Sequence, residues 1–294
     1  MNEFEIDNTI KFSQIDAFTT EVFGGNSAAI IYQDDLASEL MQQIAKEMNL
    51  SETAFISISD QADYNLRWFT PTIEVELCGH ATIASLHYLL ENGFVKNDSA
   101  VTFKTLSGIL NCKIEDENYF MKLPLPKFRE YNHNSKDIIE ALGLKQSDLD
   151  TNYPPILQKN GNLFIYIKSL EAVKKLKPDF TRLLKLSNGN MGFTEFTVFT
   201  TETVNEGNNA HLRFFAPFYG IDEDPVTGSA NGPLLLVLKK LGLIEDDTEN
   251  KKYIFEQGDF IGRKGRVTVT YSPAKNELMI SGNAVTVMRG ELLI

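Results

Sequence analysis

The sequence predicts an α/β (α+β) protein made of two pseudo-symmetric halves, each a β-barrel-like antiparallel or mixed sheet around one central helix. Three observations predict it. First, Arg67-Trp68-Phe69-Thr70-Pro71 returns as Arg213-Phe214-Phe215-Ala216-Pro217. Each copy leads into a glycine-centred turn, Leu77-Cys78-Gly79-His80-Ala81-Thr82 and Glu223-Asp224-Pro225-Val226-Thr227-Gly228-Ser229-Ala230. The copies sit half a chain apart, the mark of a duplicated fold. Second, residues 81–91 and 230–241, which follow the two glycines, are apolar nearly all round. A helix hydrophobic on every face has to be enclosed by other structure. Third, the tail of the chain carries short β-branched runs bounded by Gly, Pro or Asn, the pattern of curved, closely turned sheets.

The elements follow in order. Residues 11–17 and 28–32 read as strands on either side of the Phe23-Gly24-Gly25-Asn26 turn. Behind Asp34-Asp35, expected to cap it, Leu36, Leu40, Met41, Ile44 and Met48 keep the spacing of an amphipathic surface helix. Residues 50–56 read as a strand entered directly from that helix, and residues 66–70 as another. Residues 109–114 and 119–122 form a predicted hairpin across Glu115-Asp116-Glu117-Asn118. Leu123-Pro124-Leu125-Pro126-Lys127 is the expected crossover, because paired prolines hold an extended link. The expected halves are residues 1–122 with 282–294, and residues 123–281. The second half opens with a short capped helix at residues 135–142 and strands near 162–167 and 194–200. It continues through the repeat to strands at 253–255, 265–271, 278–281 and 284–289.

Composition narrows the function. A chain of 294 residues fits about two domains, and 43% hydrophobic residues with 20 Phe supply both cores. A net charge of −12 argues against a nucleic-acid partner and against an anionic membrane surface. An anionic substrate would then be held by local dipoles and donors. The opening MNEFEIDNTIKFSQ shows neither the basic segment nor the apolar stretch of a secretory signal, and no apolar run approaches the length of a membrane span. Two cysteines, Cys78 and Cys112, make no disulfide framework. A soluble, cytoplasmic protein is expected.

Candidate chemistry gathers at the turns. The first turn of each buried helix presents amides without intrahelical acceptors and the positive end of the peptide dipoles, so Gly79 and Gly228 mark sites for a carboxylate or phosphate. An isolated glycine would mean only a turn. Glu52 stands where a surface helix hands over to the apolar Ala54-Phe55-Ile56 run. Burial there would raise its pKa toward neutrality and make it a proton carrier, whereas an exposed strand end would carry no chemistry. His80 is either a proton-handling group at the helix entrance or a satisfied polar residue. Asp224 would orient His80, bind a substrate amine or merely shape its turn. Ser229 would cap the second helix or bind a ligand. No metal site is expected, since His80 and His87 are seven apart and neither cysteine has a partner at ligand spacing. Phosphate-loop and dinucleotide motifs do not occur.

Taken together, Phe23-x-Gly25-Asn26, Asn49-x-Ser51-Glu52-Thr53-x-Phe55, Arg67-x-Phe69-Thr70-Pro71, Glu74, Cys78-Gly79-His80-Ala81-Thr82, Glu223-Asp224-Pro225-x-Thr227-Gly228-Ser229-Ala230, Gln257-Gly258, Gly262-Arg263 and Ser281-Gly282-x-Ala284 resemble the PhzF family of phenazine-biosynthesis-like isomerases. The resemblance implies a diaminopimelate-epimerase-like fold with the active site between its halves. It implies Glu52 as the proton shuttle, His80 and Asp224 as assisting and substrate-binding groups, and Gly79, Gly228 and Ser229 at the helix entrances that hold a substrate carboxylate. It implies no cofactor and a homodimer. Gly232-Pro233-Leu234 also resembles the founding enzyme, which isomerises trans-2,3-dihydro-3-hydroxyanthranilate. Racemases of this fold use one thiol at each helix entrance. Here Cys78 stands at the first but Thr227 at the second, and a hydroxyl is too weak an acid to complete that pair. Cys112 reads as a small core residue.

The expected activity is a cofactor-independent isomerase moving a proton within a small unsaturated carboxylate through Glu52. The alternatives are an epimerase or racemase of a small amino or hydroxy acid, and a non-catalytic protein that binds a small ligand.

Overall fold

The computed structural model describes residues 9–131, 135–189, 192–244 and 251–294. Residues 1–8, which begin the segment read as lacking a leader, lie outside the described residues. The chain forms two compact units. The first holds the described residues up to Phe23, with Ser27–Met121 and Asn283–Ile294; the second holds Gly24–Asn26 and Lys122–Gly282.

In the first unit the strands run β1 (Thr9–Ala17), β2 (Asn26–Tyr32), β3 (Glu52–Ile58), β4 (Tyr64–Phe69), β5 (Glu74–Val75), β6 (Ala100–Thr105), β7 (Gly108–Glu115) and β8 (Asn118–Leu123), with α1 (Ser38–Met48) and α2 (Gly79–Glu91) between them. β2 and β3 pair in parallel, as do β4 and β6, while β3–β4 and β6–β7–β8 are antiparallel. Alternation along β3 decides what each face meets. Phe55 joins Ile10, Ile31, Phe69 and the apolar stripe Met41, Ile44 and Ala45 of α1 in one core cluster. Glu52, Ala54 and Ile56 point to the opposite face. α2 packs on β1 and β3.

The second unit adds β9 (Phe128–Glu130), α3 (Lys136–Ala141), β10 (Ile156–Gln158), β11 (Asn162–Tyr166), α4 (Leu170–Lys174), α5 (Phe180–Ser187), β12 (Glu195–Thr200), β13 (Ala210–Ala216), β14 (Ile221–Asp224), α6 (Gly228–Lys240), β15 (Tyr253–Gln257), β16 (Gly265–Ser272) and β17 (Glu277–Gly282). The last strand, β18 (Ala284–Leu293), returns to the first unit and pairs antiparallel with β1 along its whole length. Phe196, Val198 and Phe215 pack under α3, α4 and α5 in one cluster. α6 lies against β11, β16 and β17. Both central helices are enclosed as their apolar sequences require. Each sheet is mixed, with antiparallel pairs predominating.

Gly232 lets α6 sit close, since a Cβ there would meet the Leu123 side chain and come within 3.2 Å of Ile280 Cγ2. Among the described residues no helix is long and apolar enough to cross a membrane.

Two expected helix caps are absent. Asp34 does not cap α1: its Oδ1 accepts the Ile58 N–H at 2.7 Å, and the N-cap position falls on Ala37, because three residues separate the aspartate from the helix. Ser135 precedes α3 with φ −85° and ψ 1° and makes no capping bond; a serine cap needs extended backbone there. Ser169 and Asp179 meet that requirement and cap α4 and α5.

The repeated arginines prove to be matched clamps. Arg67 binds Glu74 through two hydrogen bonds of 2.7 and 2.8 Å, and its guanidinium lies 5.1 Å from the Phe69 ring. Arg213 binds Glu223 at 2.8 and 2.7 Å and lies 5.2 Å from Phe215. Each clamp ties a strand to the short strand leading toward a central helix. They differ in burial. The Arg213 side chain is 9% exposed against 29% for Arg67, and Arg213 also donates to the Val173 and Leu176 carbonyls, both at 3.1 Å. Arg213→Ala should therefore destabilise the protein by about 3–5 kcal/mol, and Arg67→Ala by about 1 kcal/mol. Urea unfolding of the two variants checks the order, and equal losses would contradict it.

Candidate active site

In the first unit, Glu52 is placed by the handover from α1 to β3. Asn49 ends α1 in the left-handed region, φ 50°, which asparagine tolerates. The chain then turns directly into β3, whose first residue is Glu52, in parallel register with Ala28. Glu52 is 9% exposed and His80 4%. His80 is the second residue of α2, so the helix fixes its backbone and delivers the ring to the carboxylate: Nε2 lies 3.2 Å from Glu52 Oε2. The second ring nitrogen, Nδ1, lies 3.5 Å from Cys78 Sγ. The ring thus meets the thiol with one nitrogen and the carboxylate with the other.

The three groups thus form a compact cluster of thiol, imidazole and carboxylate. Their ligand atoms lie within 4.8 Å of one another, a spacing compatible with a metal ion. Gly79 opens α2 and is buried. The N-cap residue, Cys78, makes no side-chain capping bond, and its carbonyl accepts from Thr82 N at 3.2 Å. The amides of Gly79, His80 and Ala81 precede that bond. Cys112 lies buried in β7, where desolvation pushes its thiol far up and leaves it inert.

In the second unit, Asp224 ends β14 and is 6% exposed. Asn26 Nδ2 donates to its Oδ1 at 2.8 Å, and the Thr227 hydroxyl donates to Oδ2 at 2.5 Å. Gly228 and Ser229 form the start of α6, the glycine buried and the serine partly so. Thr227, not Ser229, holds the N-cap position, and its side chain makes no capping bond. Both central helices therefore begin without a side-chain cap. Pro233, inside α6, also withholds the N–H that would bond the Ser229 carbonyl.

Three polar residues of this group escaped sequence reasoning. Asn26 and Gln257 stand in recognisable motifs, but nothing local says what they touch. Glu195 carries no local signal at all. It opens β12 on the face opposite Phe196, next to Thr197, whose register partner Phe214 in turn faces Asp224. Desolvation pushes the Asp224 carboxyl up to about 6, against the pull of the Thr227 and Asn26 hydrogen bonds. Glu195 is pushed up to about 7, first by burial and then by the Asp224 charge. Asp224 ionises first and so hinders its neighbour. Elsewhere in this unit His211, Glu256 and Asp259 form a second cluster of metal-ligand types. There Arg266 donates to both Asp259 oxygens at 2.9 Å, occupying the place of a cation, and burial holds the His211 ring neutral.

The sequence profile of the family described as phenazine biosynthesis-like protein, PhzC-PhzF, matches residues 15–290. The chain belongs to the PhzC-PhzF family. An uncharacterized isomerase of Clostridium acetobutylicum is 40% identical, over 96% of this chain and 97% of that protein. The crystal structure of a phenazine biosynthesis protein of the PhzF family from Bacillus anthracis superposes with a TM-score of 0.89 at 31% identity, covering 97% of this chain and 99% of that one. A hydroxyproline epimerase from Agrobacterium vitis shares the fold alone, with a TM-score of 0.60 at 10% identity and coverage of 98% and 94%. The fold of this PhzC-PhzF member is accordingly the diaminopimelate-epimerase-like one that the family resemblance implies.

The raised carboxyls have a measurable consequence. In the unfolded chain both release protons at roughly pH 4, whereas in the fold they do so at about 6 and about 7. The folded state holds more protons across that window, so their contribution to stability falls as pH rises through it. Glu195→Gln should be more stable than the parent at pH 8 by about 1–3 kcal/mol and nearly equal to it at pH 4.5. Urea unfolding at the two pH values tests this, and a variant no more stable at pH 8 would contradict it.

Proposed function

We propose that this protein is a cofactor-independent isomerase in which Glu52 removes a proton beside an unsaturated carbon of a small carboxylate and returns it elsewhere on the conjugated system. One observation carries the reading: the Glu52 carboxylate is buried and lies 3.2 Å from His80 at the uncapped start of a central helix. Burial keeps solvent from quenching the transfer, and the helix dipole favours the negative charge that develops when the proton leaves. His80 would steady the Glu52 carboxylate between its two protonation states. In the first unit the amide of Gly79 would attract an anionic group, and in the second unit Gly228 and Ser229 would do the same, with Asp224 there binding a donor group of the substrate. Membership of the family and relatives named as isomerases support isomerase chemistry. The substrate resembles, by class, the unsaturated amino-carboxylate of the founding enzyme. A homodimer in the cytoplasm belongs to the same proposal and rests on family resemblance.

A second reading is favoured by the Cys78 thiol 3.5 Å from His80. An epimerase would use that thiol on one face of a stereocentre. Against it, the residue at the second helix entrance is Thr227, whose hydroxyl is committed to Asp224.

Small unsaturated carboxylates and amino acids incubated with the enzyme in D2O separate the readings by mass spectrometry. Glu52→Gln should lower deuterium incorporation by at least about a thousandfold, given the scale of general acid–base catalysis, with thermal stability retained. Cys78→Ser should keep most of it. The reverse pattern would establish the epimerase. A ligand that raises the melting temperature of the parent without exchanging a proton would mean a binding protein.

A further inference from the structure

Gln257 closes β15, is 1% exposed, and spends every hydrogen bond an amide can make on one short segment. Oε1 accepts from the Thr227 N–H at 2.9 Å and from Asn231 Nδ2 at 2.8 Å. Nε2 donates to the Asp224 carbonyl at 2.9 Å and to Thr227 Oγ1 at 3.1 Å. The orientation of the amide is unambiguous, because a backbone N–H can only donate and a carbonyl can only accept. Gly258 makes the approach feasible. At φ 84° any Cβ on it would press into the Arg263 carbonyl and come within 2.9 Å of the Pro225 carbonyl.

The consequence falls on Thr227. A threonine at an N-cap position ordinarily turns its hydroxyl oxygen onto an amide of the first helical turn. Here that oxygen already accepts from Gln257, and its single proton goes to Asp224 Oδ2. We propose that Gln257 is a positioning residue for Asp224, acting through Thr227: its amide aims the Thr227 hydroxyl at the carboxylate and keeps it from capping α6. Asp224 is then held by Thr227 on one oxygen and by Asn26 on the other. The charged groups facing it within the unit are Glu223, itself clamped by Arg213, and Glu195. Any role of Asp224 toward a substrate rests on the reading under Proposed function. The positioning itself does not.

The test is the titration of the Asp224 carboxyl, followed by carbon-13 NMR with Asp224→Asn to assign the signal. A hydrogen bond to the ionised form lowers a carboxyl pKa, so losing it should move the midpoint upward. Thr227→Val, which keeps the shape and both bonds that Gln257 Oε1 accepts while removing the hydroxyl that its Nε2 donates to, should raise the midpoint by about one pH unit, a tenfold change in proton affinity. Gln257→Met should raise it similarly, and the double variant no further than Thr227→Val alone. An unchanged midpoint in Thr227→Val would overturn the proposal, as would an additional shift from Gln257→Met in the Thr227→Val background. Because titration needs no turnover, this outcome is separate from the proton-shuttle reading, which stands or falls on Glu52→Gln.

Discussion

Enclosing the ends of two apolar helices is the constraint on which the rest of the structure depends. α2 and α6 have no polar face to show to water, so strands must surround them. Their first turns are then brought inside with amides that the helix itself cannot satisfy. Neither helix carries a side-chain cap. A buried, uncapped helix start demands polar company, and in each unit the titratable and amide side chains of interest collect at that point.

The two units meet this demand with different chemistry on one scaffold. In the first, Cys78, His80 and Glu52 cluster tightly, the imidazole nitrogens 3.5 Å from the thiol and 3.2 Å from the carboxylate, an arrangement suited to moving protons. In the second, Asp224 is tied down by Asn26, Thr227 and, through Thr227, Gln257. That arrangement suits holding. The matched clamps Arg67–Glu74 and Arg213–Glu223 show that the approach to each helix has been kept while the residues at its start diverged.

Much of the fold was legible locally. The apolar runs of α2 and α6, the stripe of α1 and the alternation of the short strands each report burial directly, since burial is what an apolar side chain requires. Caps were less legible. Asp34 lay near enough to α1 in sequence to cap it, but the Ile58 amide at a neighbouring strand took its carboxylate. Of the site, Glu52 and His80 were visible as an acid and a base at structural transitions, and Asp224 as a polar residue beside a repeated glycine. Their hydrogen-bond partners were not. Glu195 looks in sequence like any glutamate opening a strand, and only the register of β12, β13 and β14 brings it near Asp224.

The sequence by itself determined that there would be two buried helices in a duplicated frame, each preceded by a polar turn, because periodicity and repetition are local properties that burial must obey. Tertiary structure alone decided which side chains meet. Asn26 and Gln257 reach Asp224 and its turn from 198 and 33 residues away, and His80 meets Glu52 because β3 begins where α1 ends beside α2. Such contacts depend on strand register and chain closure, and the free energy of a buried hydrogen bond is gained only once the whole enclosure has formed.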